Sequence, residues 1–509
     1  VGLRLVDGAL GVGVGPTLRA FEAEGARRVT ARRVAIGSAP VAADTAAAIV
    51  FTSGSTGPPK GVVMTHGGLR ARLAGIRAEV DAAAADGGLE RGALIVETLL
   101  QYTMLWLLAG LSVAFPHVPV TRPAAASAEA LLAAVAALKP AAVSASVAVW
   151  GKVARLAEAR GEALSLPPGV QLLITTSAAV SPAMLERLRA ALPAAPPLLV
   201  GYGATEALPV ATLTAAEALS AEVAGRARRG HGLCVGRVAP GAKVRVVQTA
   251  AGPSEAEAEE LPAGELGELL VAGPLVARYL GAAGGGDEAA LWHRMGDLGY
   301  VDAAGRLWFC GRLSHAFRTP RHGLVLPLCA ELLFLDEPGV EAAALVGIGS
   351  PRGGGGGGGV GGGEGGGRGT EVAPVLCVVL AADYEPRYGP WDEDRAQKLL
   401  ARAAGTRWEG VVQLVLPLPS LPMDMRHNSK IDRLQLAAAV APRVAPLLAS
   451  ASRPPLLRAK DVLAAQPRRL FAACCATQAG ILLLLGPIGP DLLQLQLCFS
   501  PSRFRAAVA

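Results

Sequence analysis

The chain is 509 residues long, and 51% of it is hydrophobic against 18% charged. That length and apolar content exclude a disordered polypeptide and a single small domain. The net charge of +6 is small for the size and its Lys and Arg are scattered, which excludes a nucleic-acid stripe and a polybasic membrane patch.

Residues 1–20 carry no signal or transit pattern, but the chain opens on Val1, so organelle targeting stays open. Ala46 to Phe51 is an apolar run that reads as the end of a buried strand. The apolar window Leu94 to Phe115 contains Glu97 and Gln101, and the window Gly480 to Leu497 is broken by Pro487, Pro490 and Asp491. Neither reads as a membrane span. Ala124 to Leu138 has a helical pattern, Ala141 to Val147 is strand-like, Trp150 to Arg160 helical, and Val170 to Thr176 strand-like again. Ser181-Pro182 then caps and starts a helix over Ala183 to Leu192, and Leu198 to Val200 leads into a polar loop. This alternation predicts an α/β core with largely parallel strands.

From about Val235 the texture changes to short strands, Val244 to Val247, Glu265 to Val271 and Leu307 to Cys310, separated by Gly- and Pro-rich turns. They predict a small β-rich subdomain over 235–312. A second, smaller α+β unit is expected over 313–445, interrupted by the low-complexity run Gly353 to Gly367, and residues 446–509 are unassigned. Seven cysteines without a C-x-x-C pair fit a reducing compartment better than a disulfide framework, and Cys310 and Cys329 read as small apolar core residues. No zinc spacing appears among Cys and His.

The segment richest in chemistry is Phe51 to Gly61, FTSGSTGPPKG. Its glycines let main-chain N–H groups turn inward, its hydroxyls add donors, and Lys60 adds a mobile positive charge, as a polyphosphate cradle requires. It is not a Walker A loop, because Gly54 and Gly57 are three apart and Gly61 follows Lys60. Gly201 to Val210, GYGATEALPV, offers Tyr202 to stack on an adenine, Thr205 to donate to a phosphate oxygen, and Glu206 to hold Mg²⁺. Taken alone, it reads equally as an ordinary strand-to-helix turn with Thr205 as cap. Trp292 to Arg312, WHRMGDLGYVDAAGRLWFCGR, offers Asp297 to accept both hydroxyls of a ribose and Arg312 to approach the ribose or α-phosphate, on what also reads as a β-hairpin turning at Asp302 to Gly305.

These segments, in this order, resemble the adenylate-forming superfamily: acyl-CoA synthetases, fatty-acyl-AMP ligases, luciferases and peptide-synthetase adenylation domains. The resemblance implies that Thr52, Ser53, Gly54, Ser55, Thr56, Gly57 and Lys60 surround the phosphates, and that Tyr202 and Gly203 belong to the nucleotide site. It also implies an adenine-contacting segment at Thr175 to Ala179, TTSAA, where Ser177 stands in place of the usual Gly and is followed by Ala178. Lys430, in PMDMRHNSKID, matches the catalytic lysine of a mobile C-terminal domain, with Thr205 and Glu206 as its catalytic partners and Glu206 as the metal ligand. The implied fold is a large adenylation domain over 1–312, shortened at its N-terminus, with a C-terminal lid.

YGATEALPVA, HRMGDLGYVDAAGRLWFCGR, Ser314-His315 and RHNSKI are similar to one branch in particular, the olefin β-lactone synthetases. That branch implies ATP and Mg²⁺, a fatty acyl substrate bearing a β-hydroxyl, and closure of the acyl-adenylate to a β-lactone. An acyl-CoA ligase or fatty-acyl-AMP ligase, with CoA as co-substrate in the first case, and a non-catalytic nucleotide-binding remnant are the alternatives. Tyr102, Met104 and Trp106 are candidates for the acyl pocket, with core packing as their competing role. A cytoplasmic setting, peripheral membrane contact and downstream lipid-processing enzymes are further expectations of the resemblance.

Overall fold

The computed structural model describes residues 41–52, 60–84, 88–116, 126–249, 259–280, 292–349, 372–423, 430–450 and 484–485. The Gly353 to Gly367 insertion and most of the 446–509 extension therefore lie outside the described residues. The apolar run before the phosphate loop forms Ala46–Thr52 (β1), which pairs antiparallel with Lys60–Thr65 (β2). Thr65 then caps Gly68 N with its side chain and starts His66–Ala83 (α1).

Next come Leu94–Glu97 (β3), Leu100–Leu108 (α2), Ser112–Ala114 (β4), Ala128–Leu138 (α3) and Ala142–Ser146 (β5). Val147–Arg160 (α4), Leu172–Thr176 (β6), Pro182–Ala191 (α5) and Leu198–Tyr202 (β7) follow. Strands β4, β3, β5, β6 and β7 are neighbours in that order and all parallel. Helix α4 begins at Val147, three residues before the predicted Trp150, because extended Ser146 already serves as its N-cap. Ser181 caps Met184 N and Pro182 opens α5, as the Ser-Pro pair predicts.

Alternation along the parallel strands sorts side chains to two cores. Val96, Val143 and Leu173 face Trp150, Val153, Leu185 and Leu188. Ile95, Ala142, Leu172 and Ile174 face Leu69, Ile76, Val80 and Trp106. Each fully buried leucine in these layers contributes about 2 kcal/mol.

Ala211–Thr214 (β8) runs antiparallel to β7 and is followed by Leu233–Val238 (β9) and Lys243–Val247 (β10). Gly267–Ala272 (β11), Arg278–Tyr279 (β12), His293–Val301 (β13) and Arg306–Arg312 (β14) complete this stretch. The β-rich segment is hydrogen-bonded through β9 and β8 to the parallel strands, so one eleven-stranded sheet runs β10-β11-β13-β14-β9-β8-β7-β6-β5-β3-β4. Strand β12 instead joins β2.

Beyond Arg312, Phe317–Thr319 (β15) and Gly323–Val325 (β16) form a hairpin. Val340–Gly349 (β17), Val372–Leu380 (β18) and Leu414–Leu418 (β19) form a three-stranded sheet. Arg433–Ser450 packs Leu436, Val440 and Val444 onto it. Cys310 and Cys329 are 3% and 1% exposed and thiol-free of bridges, in keeping with a packing role. Among the described residues no helix is long and apolar enough to cross a membrane.

Candidate active site

The β1–β2 pair presents Thr52 and Lys60 opposite each other at the mouth of the phosphate loop. Ser53, Gly54, Ser55, Thr56 and Gly57 lie outside the described residues. The Lys60 ammonium sits 5.1 Å from the ring centre of Tyr279, on β12. The Tyr279 hydroxyl in turn donates to Glu206 Oε1 at 2.7 Å. Lys60 and Glu206, 146 positions apart in sequence, are thus joined through one side chain.

Glu206 is 8% exposed and lies in a tight loop after β7. Ala204 N donates to Ala207 O at 2.8 Å and Ala207 N returns to Ala204 O at 3.0 Å. Gly203 is required there, because a Cβ would sit 2.6 Å from Ala207 O and 2.9 Å from Leu208 Cδ1. From beneath, the Arg72 guanidinium of α1 donates to Thr205 O and Glu206 O, both at 2.8 Å, and to Leu275 O at 2.9 Å. Arg72 is 1% exposed, and burial lowers its pKa to about 10 while the Glu206 charge opposes that shift.

Tyr202, at the start of the same loop, donates from its hydroxyl to Asp297 Oδ2 at 2.6 Å. Asp297 stands directly opposite Arg312 in the β13–β14 pair. Arg312 Nε lies 2.9 Å from Asp297 Oδ1 as an ion pair that lacks hydrogen-bond alignment, and its Nη1 donates to Met295 O at 3.2 Å. Burial raises the Asp297 pKa, opposed by Arg312, Tyr202 and Lys430. Lys430 is close enough for its charge to act on both Asp297 and His315. Burial together with Arg433, Arg312 and Lys430 lowers the His315 pKa to about 3, so the imidazole is neutral at neutral pH.

Ser177 follows β6. Its φ is +80°, the left-handed region a glycine would favour. Ala178 is half-buried beside it, and the neighbouring Thr176 Oγ1 lies 3.2 Å from the Tyr102 hydroxyl. Of the acyl-pocket candidates, Trp106 is a core residue, 4% exposed, donating from Nε1 to Glu97 Oε2 at 2.6 Å. Met104 packs against the same core and Tyr102 alone reaches the Ser177 segment.

The hairpin reading of Trp292 to Arg312 holds as well: Asp302 N and Gly305 N close the turn, and Asp302 accepts from Arg306 and Trp308. Arg72, Tyr279 and Glu97 were not singled out from the sequence, yet two of them touch Glu206.

A model of the AMP-binding enzyme family matches residues 16–280. This chain belongs to the AMP-binding enzyme family. This AMP-binding enzyme is 33% identical over 414 residues to an olefin beta-lactone synthetase of Xanthomonas campestris pv. campestris, covering 78% of the chain and 67% of that protein. It is also 33% identical over 407 residues to an olefin beta-lactone synthetase of Stenotrophomonas maltophilia, covering 77% and 66% respectively. The chain thus spans about two thirds of the length of these curated relatives. The fold is similar to that of ATP-bound MatB from Rhodopseudomonas palustris, with TM-score 0.56, 18% identity, and 79% and 69% of the two chains covered. At that identity the likeness concerns the fold alone. Family and relatives place the AMP-binding enzyme among ATP-dependent, adenylate-forming enzymes.

The donor set suits Mg²⁺. Among the described residues no group of three or more His, Cys, Asp and Glu converges, and Mg²⁺ asks for none, since it takes one or two carboxylates and fills its shell with water and phosphate oxygens. Glu206 would supply one such carboxylate; its main-chain oxygen is held by Arg72 and its Oε1 by Tyr279.

Proposed function

We propose that this AMP-binding enzyme activates a β-hydroxy fatty acid with ATP and closes the resulting acyl-adenylate to a β-lactone. The observation that carries the adenylating half is the meeting of Lys60, Tyr279 and Glu206 on one side and Tyr202, Asp297 and Arg312 on the other, joined by the short loop that bears both Tyr202 and Glu206. The lactone-forming half is supported by similarity to the two olefin beta-lactone synthetases.

In the first step a carboxylate oxygen of the acid attacks the α-phosphorus and pyrophosphate leaves. Thr52 and Lys60, opposite each other on β1 and β2, would give the departing phosphates a donor and a positive charge. Glu206 would hold a magnesium ion, which screens charge on the polyphosphate. Asp297 accepts the ribose hydroxyls once Tyr202 and Arg312 have fixed its orientation, and Lys430 meets the charge that builds on the reacting phosphorus. In the second step the β-hydroxyl oxygen attacks the acyl carbonyl carbon, the bond to AMP breaks, and the hydroxyl proton is given up. Holding hydroxyl and carbonyl together offsets part of the cost of a strained ring.

The test is direct. The purified protein is incubated with ATP and a long-chain β-hydroxy acid, with and without CoA, and the products are resolved by mass spectrometry. A β-lactone with AMP, formed equally well without CoA, is expected. A thioester formed only with CoA would make this an acyl-CoA ligase. No pyrophosphate release under either condition would leave a nucleotide-binding remnant.

A further inference from the structure

Tyr279 sits on the phosphate-loop arm, since β12 pairs with β2 and sets Tyr279 opposite Val62. Glu206 sits in the loop after β7, and among the described residues the side-chain hydrogen bond between the two segments is Tyr279 Oη to Glu206 Oε1, beside the main-chain bond from Ala277 N to Glu206 O. The same tyrosine carries Lys60 Nζ over its ring at 5.1 Å and packs edge-on against His293 with ring centroids 6.0 Å apart. Its position is set by the strand pairing and these ring contacts, and its segment also meets the Glu206 main chain, where Ala277 N donates to Glu206 O at 2.8 Å. A group can orient a carboxylate only if it is itself held.

The phenol is held as a donor, with its hydroxyl 2.7 Å from Glu206 Oε1. Among the described residues only Oε1 of Glu206 carries a side-chain hydrogen bond, which leaves Oε2 for a hard cation. Partners that hold a ligating carboxylate fix its orientation, and losing one commonly costs tenfold or more in metal affinity.

We propose that Tyr279 is a positioning residue that couples the phosphate arm to the metal carboxylate, its hydroxyl orienting Glu206 and its ring holding Lys60 until a polyphosphate draws the ammonium away. This rests on the reading of Glu206 as the metal ligand. The two contacts are chemically separable. Tyr279→Phe deletes the hydroxyl and keeps the ring; Tyr279→Leu deletes both.

The test is Mn²⁺ titration followed by electron paramagnetic resonance, in the presence of an ATP analogue with a non-cleavable α,β-methylene bridge. In Tyr279→Phe the Mn²⁺ Kd is expected to rise about tenfold, with the melting temperature and the metal-free affinity for the analogue unchanged. Tyr279→Leu is expected to weaken metal-free binding of the analogue as well. In a Glu206→Ala background, Tyr279→Phe is expected to add nothing. A Mn²⁺ Kd in Tyr279→Phe within twofold of wild type, or tighter, would overturn the proposal, as would full additivity with Glu206→Ala. Wild-type protein whose nucleotide binding ignores Mn²⁺ would sink the reading of Glu206 itself, and that result is distinct from either of the others.

Discussion

Arg72 donates to the main-chain oxygen of Glu206 at 2.8 Å across 134 positions of sequence, and its two other hydrogen bonds also end on carbonyls, those of Thr205 and Leu275. A guanidinium almost wholly removed from water has been spent on holding backbone, not on pairing with a carboxylate. The loop that carries Glu206 is therefore braced by α1, the helix that follows β2.

Replacing Arg72 with Met leaves the Thr205 and Leu275 carbonyls without their donor, while Glu206 O keeps Ala277 N. Each unsatisfied group costs about 1–3 kcal/mol, so urea unfolding is expected to register a loss of about 2 kcal/mol or more. Arg72→Lys has one ammonium where three directed N–H groups are needed and should recover only part of the loss. An Arg72→Met protein as stable as wild type, with unaltered ATP affinity, would show the brace to be idle.

Asp297→Asn separates binding from folding. The asparagine keeps an oxygen for the Tyr202 hydroxyl but loses the charge that faces Arg312. Burial raises the Asp297 pKa, so the ionised carboxylate is held at a cost that neutralisation relieves. Stability is expected to stay within about 1 kcal/mol of wild type, while affinity for ATP falls at least tenfold because the ribose loses its acceptor. Calorimetric titration with ATP decides it; unchanged affinity would remove Asp297 from the nucleotide site.

Ser177 gives a conformational prediction. A non-glycine residue at φ +80° carries a penalty of about 1–2 kcal/mol, and a β-branched side chain makes it worse. Ser177→Gly should fold at least as well as wild type and keep nucleotide binding within a few-fold. Ser177→Val should lose about 2 kcal/mol or more. Equal stability of the two variants would mean that the turn is not held in this conformation.

Much of this arrangement is legible in the sequence because its cues are local. Ser181-Pro182 marks a helix start, and the alternation through Leu172, Leu173 and Ile174 marks a strand buried on both faces. The motifs also bring their own spacing. Arg72, Glu97 and Tyr279 escaped because their partners are remote or because their setting reads as core. A signal did exist for Arg72: it falls in the buried stripe Leu69, Arg72, Ile76, Val80 of α1, where a charged residue must find partners. Glu97 closes the apolar strand Leu94–Glu97 in the same way. Tyr279 has no such local mark, since nothing near it in sequence announces Glu206. The continuity of the mixed sheet was equally hidden, because β8 and β9 connect two textures that look like separate units.

Glu97 makes a pH prediction. It is wholly buried, and desolvation raises its pKa from an ordinary 4.5 to about 7, against the pull of Trp106 and the Thr98 and Leu99 amides. The folded protein therefore keeps this proton between about pH 4.5 and 7 while the unfolded chain releases it. Stability from this group is greatest below that window and falls as pH rises through it, by about 3 kcal/mol in all. Glu97→Gln cannot ionise, so the stability difference between variant and wild type should move in the variant's favour as pH rises from 5 to 7.5. Urea midpoints at both pH values measure it, and a difference that does not change with pH would contradict the argument.

Lys430 separates the two half-reactions. It is exposed, so Lys430→Ala should leave the melting temperature unchanged. Its charge nevertheless acts on Asp297 and His315, and in the proposed first step its ammonium would face the reacting phosphorus. Taking one such group from a developing negative charge typically lowers the rate about 10²–10³-fold, and pyrophosphate release should fall by that factor. Closure of the lactone ring attacks the acyl carbon and leaves the α-phosphorus four-coordinate, with the new negative charge building on the bridging oxygen that departs with AMP. A synthetic β-hydroxyacyl-adenylate should therefore be turned into lactone by Lys430→Ala at close to the wild-type rate. If that bypass also failed, the lysine would be acting on the leaving AMP as well, and the assignment of Lys430 to the first step alone would have to be abandoned.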